Sequence, residues 1–329
     1  MTVHLILGGN GFIGRHVALA LHRRGETVIL ADVTDPSPAL LELLPVKHRK
    51  VTTLNPDWEE VLEGADVVHH YAWTTIPSSA DADPLVDFDS NLRETIRLLE
   101  VLKKRKQAGG LGTKVVFSSS GGTIYGPVRR TPVTEIEPYD PINAYGASKS
   151  AAEVYLKYYR KAHGIDCRIA RISNPYGAGQ NPAKRQGAAS TFLFQALDAK
   201  PISIWGDGEV VRDYIHIADL TAALLALSDA SHKAINEAQS PVFNIGSGEG
   251  ISLNRILDVL RTQLCLSPSV SYQTARSFDV PVSILDISKA CRILEWKPKL
   301  SFEEGYSLML ADVRGGSALF STLLDSLPQ

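Results

Sequence analysis

Short apolar runs alternate with amphipathic stretches along the first half of the chain. The runs at 3–7, 27–32, 50–54, 66–71, 114–118 and 166–171 are mostly apolar and read as strands. Between them, the stretches near 12–24, 57–63, 85–107 and 145–163 repeat apolar residues at helical spacing. Strands apolar on both faces and separated by helices imply a parallel sheet covered on both sides. The fold class is therefore α/β, a doubly wound sheet. Gly25 stands where a left-handed residue would end the first helix.

The rhythm changes after residue 172. The stretch from Ser173 to Pro182, rich in Gly, Pro and Asn, predicts a long loop. Short elements then mix at 202–205, 212–216, 219–229, 242–245, 252–264, 286–294 and 301–314, the pattern of a smaller α+β lobe. The expected division is a dinucleotide-binding domain over 1–172, to which parts of 210–245 return, and a substrate-binding lobe over 173–209 and 246–329. A cleft is expected between them.

Composition narrows the partners. In 329 residues the hydrophobic fraction is 44%, the charged fraction 21% and the net charge −2, which gives no electrostatic footprint for nucleic acid or an anionic membrane. No apolar run approaches membrane-spanning length, and the start of the chain lacks the features of a secretory signal. Cys167, Cys265 and Cys291 are widely separated and have no metal-type spacing, so they read as reduced thiols of a cytoplasmic protein without a metal. His69-His70 ends an apolar run and reads as structural.

Gly8-Gly9-Asn10-Gly11-Phe12-Ile13-Gly14 follows the first strand and opens the first helix. Glycines at 8, 11 and 14 permit a tight turn, close approach of a pyrophosphate and close helix–strand packing, and the helix N-terminus suits an anion. Asp32, at the end of the next strand, is placed to accept hydrogen bonds from the adenosine ribose. It would repel a 2′-phosphate, and no basic residue follows it in Val33-Thr34-Asp35, so the cofactor expected is NAD rather than NADP.

Beside such a cofactor, Tyr145 and Lys149 acquire a meaning. Four apart on a helix, phenol and ammonium share one face, and a nearby cation favours a phenolate. The spacing alone is one that chance supplies. The strand at 114–118 runs into Ser118-Ser119-Ser120-Gly121-Gly122-Thr123-Ile124-Tyr125-Gly126, hydroxyls at a carboxyl strand end, where the ligand crevice of such sheets lies.

Together with His70-Tyr71-Ala72, Asn91, Asn174-Pro175-Tyr176-Gly177, Gly206-Asp207-Gly208, Arg212-Asp213-Tyr214-Ile215-His216 and Arg276-x-x-Asp279, these motifs resemble the extended short-chain dehydrogenase/reductase family, in its nucleotide-sugar epimerase branch. The likeness runs from residue 3 to about 314. It implies that Tyr145 is the catalytic acid/base and that Lys149 holds the nicotinamide ribose and lowers the phenol's pKa. It adds Phe12, Ile13, Tyr71, Ala72, Asn91 and Ser118 to the cofactor site. Alignment favours Ser120 as the partner hydroxyl, with Thr123 in reserve. Arg212 would clamp the substrate diphosphate, Arg276 and Asp279 would hold the second phosphate and nucleotide ribose, and Asn174 and Ser283 would face the sugar. The loop at 120–123 has no carboxylate, which disfavours dehydration. The implied activity is 4-epimerisation of a UDP-hexose or UDP-N-acetylhexosamine. UDP-glucuronate epimerisation or decarboxylation, 4-keto-sugar reduction and a non-catalytic NAD-binding module are the alternatives. Family members dimerise through helices matching 85–107 and 145–163, where Leu92, Ile96, Leu99 and Leu102 form a stripe that serves either a homodimer or ordinary core.

Overall fold

The computed structural model describes residues 1–110, 112–128, 130–180, 187–275 and 280–315. In chain order its strands are β1 (Val3–Leu7), β2 (Thr27–Asp32), β3 (Lys47–Lys50), β4 (Val67–His70), β5 (Lys114–Ser120), β6 (Cys167–Ile172), β7 (Asn174–Tyr176), β8 (Ile202–Trp205), β9 (Val211–His216), β10 (Val242–Ile245), β11 (Gly250–Ser252), β12 (Val270–Gln273) and β13 (Val282–Ser283). Seven of them form one sheet in the order β10-β6-β5-β4-β1-β2-β3, with every pairing parallel. The strand order reverses at β1, so the crevice beyond the carboxyl ends of β1 and β4 is where a ligand of this fold belongs.

The doubly wound sheet expected from the sequence is present. The Phe12–Arg23 and Ile217–Asp229 helices cover one face, and the Glu94–Gln107 and Ala144–His163 helices the other. Gly25 does take a left-handed φ of 76° just past the first helix. The 85–107 helix is composite: Pro84–Asp87 passes through a π-helical segment, Phe88–Arg93, before the α-helix begins. Leu92, Leu99 and Leu102 face the core rather than the surface, so the stripe is core.

Two local expectations fail for identifiable reasons. The strand expected at 50–54 lies at Lys47–Lys50. It is the edge strand beside β2, and its charged sequence blunts that edge at the expense of an apolar signal. The expected loop at 173–182 begins with β7, which pairs in parallel with β9. Pro175 lacks an N–H, which is tolerable in so short an edge strand.

Beyond residue 172, β11, β9 and β13 form a sheet that β7 joins, and β12 pairs with β8. A separate core around Phe192, Leu257, Phe302 and Tyr306 lies beneath them. Ala290, Leu294 and Trp296, around the Ser288–Ile293 helix, pack instead with the core of the seven-stranded sheet.

His4, His16, His69, His70 and His216 are all buried. Burial is the main cause that lowers each from its ordinary value: His16 and His70 to about 3, His216 to about 4. These groups stay neutral in the folded chain but take up a proton below pH ~6.5 when it unfolds. The contribution of His16, His70 and His216 is complete above that pH and is lost as pH falls toward their folded values, at ~1.4 kcal/mol per pH unit for each. Thermal melts between pH 7.5 and 5 will therefore show a steep fall in stability that His216→Asn makes shallower. A melting temperature flat across this window would contradict the assignment.

Candidate active site

The glycine turn is a cradle that no side chain can enter. Gly8 has a φ of 80°, and a Cβ on it would lie 2.8 Å from the Ala72 nitrogen. A Cβ on Gly14 would lie 2.1 Å from the Gly8 carbonyl oxygen, and one on Gly11 3.0 Å from the same atom. The turn thus packs directly on the Tyr71–Ala72 backbone at the end of β4, at the crevice. Gly11 caps the following helix without a side-chain hydrogen bond, and Phe12 and Ile13 form its first turn. Asp32 accepts from the Asn10 and Thr34 backbone N–H groups, at 3.0 and 3.1 Å, which fixes its carboxylate beside the turn. Arg15 braces the turn by donating to the Asn10 and Gly11 carbonyls, a role that sequence reasoning missed. This cradle fits a dinucleotide pyrophosphate with its ribose at Asp32.

Tyr145 and Lys149 lie in the first turns of the Ala144–His163 helix, capped by the Asn143 side chain, which accepts from the Gly146 N–H at 2.8 Å. A buried polar cluster fixes this helix on the sheet. Glu153, one turn beyond Lys149, accepts from the Ser119 hydroxyl, Tyr139 and the Arg171 guanidinium, with the Arg171 Nη2 contact at 2.8 Å. Losing one partner of so buried a pair typically costs about 3–5 kcal/mol.

Lys149 is 2% exposed, and its Nζ donates to the Ser118 carbonyl at 2.6 Å. Burial drives its pKa well down, against the opposing charges of Asp87 and Glu153. The Tyr145 phenol is raised above its ordinary value, by burial first and then by the negative charge of Asp87. The ammonium is directed at Ser118, 5.8 Å from the centre of the Tyr145 ring, and is not among the causes of the phenol's shift.

Asp87 and Trp73 are site residues that the sequence reading missed. The Asp87 side chain is wholly buried and accepts from Thr75 and, at 3.0 Å, from Asn91. Its signal was an acid one helical turn before Asn91 on an otherwise inward face. The Asn91 amide also accepts from the Thr74 N–H at 2.8 Å and donates to the Thr75 hydroxyl, so it braces the segment after β4. The Tyr71 hydroxyl is turned into the sheet, hydrogen-bonded to His69 at 2.9 Å, and His69 in turn meets His4.

The hydroxyl candidates differ in placement. Along β5, Val115 and Phe117 enter the core on the side of the Ala144–His163 helix, Val116 enters the opposite one, and Ser119 reaches Glu153 on that helix. Strand alternation directs Ser120 to the far face. A side chain at Gly121 would strike Leu285 at 2.6 Å. The Thr123 carbonyl packs so closely on Gly146 that a Cβ there would be 2.6 Å away, and the Thr123 hydroxyl is buried without a hydrogen-bond partner among the described residues.

On the other side, Asn174 donates to the Asp213 carbonyl at 2.9 Å, Arg212 donates to the Val211 and Val280 carbonyls, and Ser283 is paired opposite Arg212. One small sheet therefore gathers these three residues. Arg276 and Asp279 lie outside the described residues.

The model of the NAD-dependent epimerase/dehydratase family matches residues 4–246. The chain belongs to this family. It is 30% identical to the UDP-glucose 4-epimerase of Mycolicibacterium smegmatis, over 92% of this chain and 95% of that protein. It is 29% identical to the dTDP-4-dehydro-6-deoxyglucose reductase of Escherichia coli, over 94% of this chain and 97% of that protein. Among solved structures, the UDP-glucose 4-epimerase of Thermotoga maritima with UDP-glucose superposes with a TM-score of 0.85 at 31% identity, covering 96% of this chain and 99% of that one. Among the described residues, no helix is long and apolar enough to cross a membrane.

The cofactor is NAD, and its cradle generates a direct test. Gly14→Ala places a methyl group against the Gly8 carbonyl, so NAD affinity measured by calorimetry will fall at least about a hundredfold, the scale of a ~3 kcal/mol packing conflict. Unchanged affinity would remove the turn from the cofactor site.

Proposed function

We propose that this chain is a nucleotide-sugar 4-epimerase acting on a UDP-linked hexose or N-acetylhexosamine. The observation that carries this reading is a half-buried Tyr145 beside a buried Lys149, at the mouth of an NAD cradle whose 120–123 loop has no carboxylate. NAD, when bound, supplies a hydride acceptor and a positive charge beside the phenol. Tyr145 takes the proton of the sugar 4-hydroxyl and gives it back after the ketone has presented its other face. Burial and Asp87 work against the phenolate of Tyr145, and further positive charge entering the site works for it. Lys149 orients the nicotinamide ribose. Asp87 is engaged by Thr75 and Asn91, and its role here is electrostatic.

The unpartnered Thr123 hydroxyl, on a residue whose carbonyl packs against Gly146, supports Thr123, rather than Ser120, as the hydroxyl that holds the substrate oxygen. Arg212 would hold the diphosphate, with Arg276 and Asp279 completing the nucleotide grip and Asn174 and Ser283 lining the sugar side. The cofactor-facing set is Gly8, Gly11, Phe12, Ile13, Gly14, Asp32, Tyr71, Ala72 and Ser118, with Asn91 behind it.

Exposed apolar side chains on adjacent helices, Leu85, Val86 and Phe88 on one and Val154, Tyr155 and Tyr158 on the other, support a homodimer. Unpaired Cys265, which is exposed, suits a reducing compartment such as the cytoplasm.

The reductase relative favours a second reading, reduction of a 4-keto sugar on the same scaffold. An epimerase interconverts UDP-glucose and UDP-galactose, or their N-acetyl counterparts, without net consumption of NADH, whereas a reductase consumes it stoichiometrically. Chromatography of such incubations will show interconversion, lost in Tyr145→Phe while NAD binding persists. Thr123→Val will lower turnover about 10²-fold and Ser120→Ala by less than about threefold. No interconversion of either pair would overturn the proposal, and the reverse ranking would restore Ser120.

A further inference from the structure

The Lys149 ammonium sits in an aromatic seat. Its Nζ lies 3.7 Å from the centre of the Trp73 ring, 4.6 Å from that of Phe117 and 5.8 Å from that of Tyr145. An ammonium has three N–H donors, and its one hydrogen bond among the described residues goes to the Ser118 carbonyl. The charged and titratable groups around it are Asp87, Glu153 and His70. None is within ion-pair distance: Glu153 is engaged by Arg171, and Asp87 by Thr75 and Asn91. The electron-rich indole face is thus the nearest counterweight to a charge almost wholly removed from water, the setting in which cation–π attraction is strongest.

Trp73 is itself held in place. It follows Ala72 at the carboxyl end of β4, its ring meets Phe117 edge-on at 5.8 Å and Tyr145 at 6.3 Å, and Asn91 fixes the next residue through the Thr74 N–H. The indole thus joins the end of β4 to the helix that carries Tyr145 and Lys149.

We propose that Trp73 is a positioning residue whose indole face seats the Lys149 ammonium, holding it against the Ser118 carbonyl in line with Tyr145. The proposal rests on Lys149 working beside Tyr145, as the epimerase reading has it. A flat quadrupole face rather than bulk is the requirement, so phenylalanine will partly substitute and leucine will not.

Protein labelled with ¹³C-lysine tests the seat without turnover. Lys149→Met identifies the Lys149 ε-methylene signal by its loss. In the parent protein that signal will be displaced upfield by ring current, in Trp73→Phe less so, and in Trp73→Leu least, with only the more distant Phe117 and Tyr145 rings remaining. In thermal melts, Trp73→Leu and Lys149→Met together will lower the melting temperature by less than the sum of their separate effects, as residues in contact do. With UDP-glucose, Trp73→Leu will lower kcat about tenfold at unchanged KM, and Trp73→Phe will stay within about threefold of the parent. An ordinary Lys149 signal in the parent, a signal unmoved by either Trp73 substitution, or strictly additive melting shifts would overturn the proposal. A parent protein that epimerises no UDP sugar would instead count against the functional reading, because the spectroscopic and melting comparisons report on the seat alone.

Discussion

The site depends on a positive charge kept almost out of water at the carboxyl end of a parallel sheet. Lys149 has one carbonyl and three aromatic faces for company. Burial works against its charge, while the more distant Asp87 and Glu153 favour it. Everything nearby is arranged around that tension. The Glu153–Arg171 cluster fixes the helix, the Asn91–Thr74 bond fixes the segment bearing Trp73, and the glycine turn fixes the backbone of Ala72 beside it. A cofactor entering this crevice meets groups already oriented, so little ordering remains to be done at the moment of binding.

Loss of water also acts on Tyr145, which is half-buried. Its phenol is raised above the ordinary value by burial and then by Asp87, so the positive charge that a bound cofactor brings favours proton removal. The loop at 120–123 carries no carboxylate, and in the proposed reading Thr123 supplies a neutral hydroxyl where elimination would need a charged group.

Much of this was legible in the chain. Period and glycine placement gave the sheet, its helices and the cofactor turn, because those features are local and the steric demand at Gly14 leaves no other residue. Tyr145 and Lys149 were legible through their helical spacing. What depended on tertiary packing was not. Strand β3 hid in a charged edge, and β7 hid in a stretch that reads as loop until β9 lies beside it. The direction of the Tyr145 shift turned on burial first and then on Asp87, distant in sequence and ordinary in appearance. The proposed preference for Thr123 over Ser120 rests on an unpartnered hydroxyl that only packing reveals, and Leu285, from the far end of the chain, closes the position between them.

The central claim is that a hydride leaves and returns to the same sugar carbon while Tyr145 moves the hydroxyl proton. Incubating the enzyme with UDP-glucose deuterated at C4, and examining the UDP-galactose formed by mass spectrometry and NMR, tests it most directly. The account predicts that deuterium is retained at C4 of the product without exchange with water. Product carrying solvent hydrogen at C4, or no UDP-galactose at all, would contradict it.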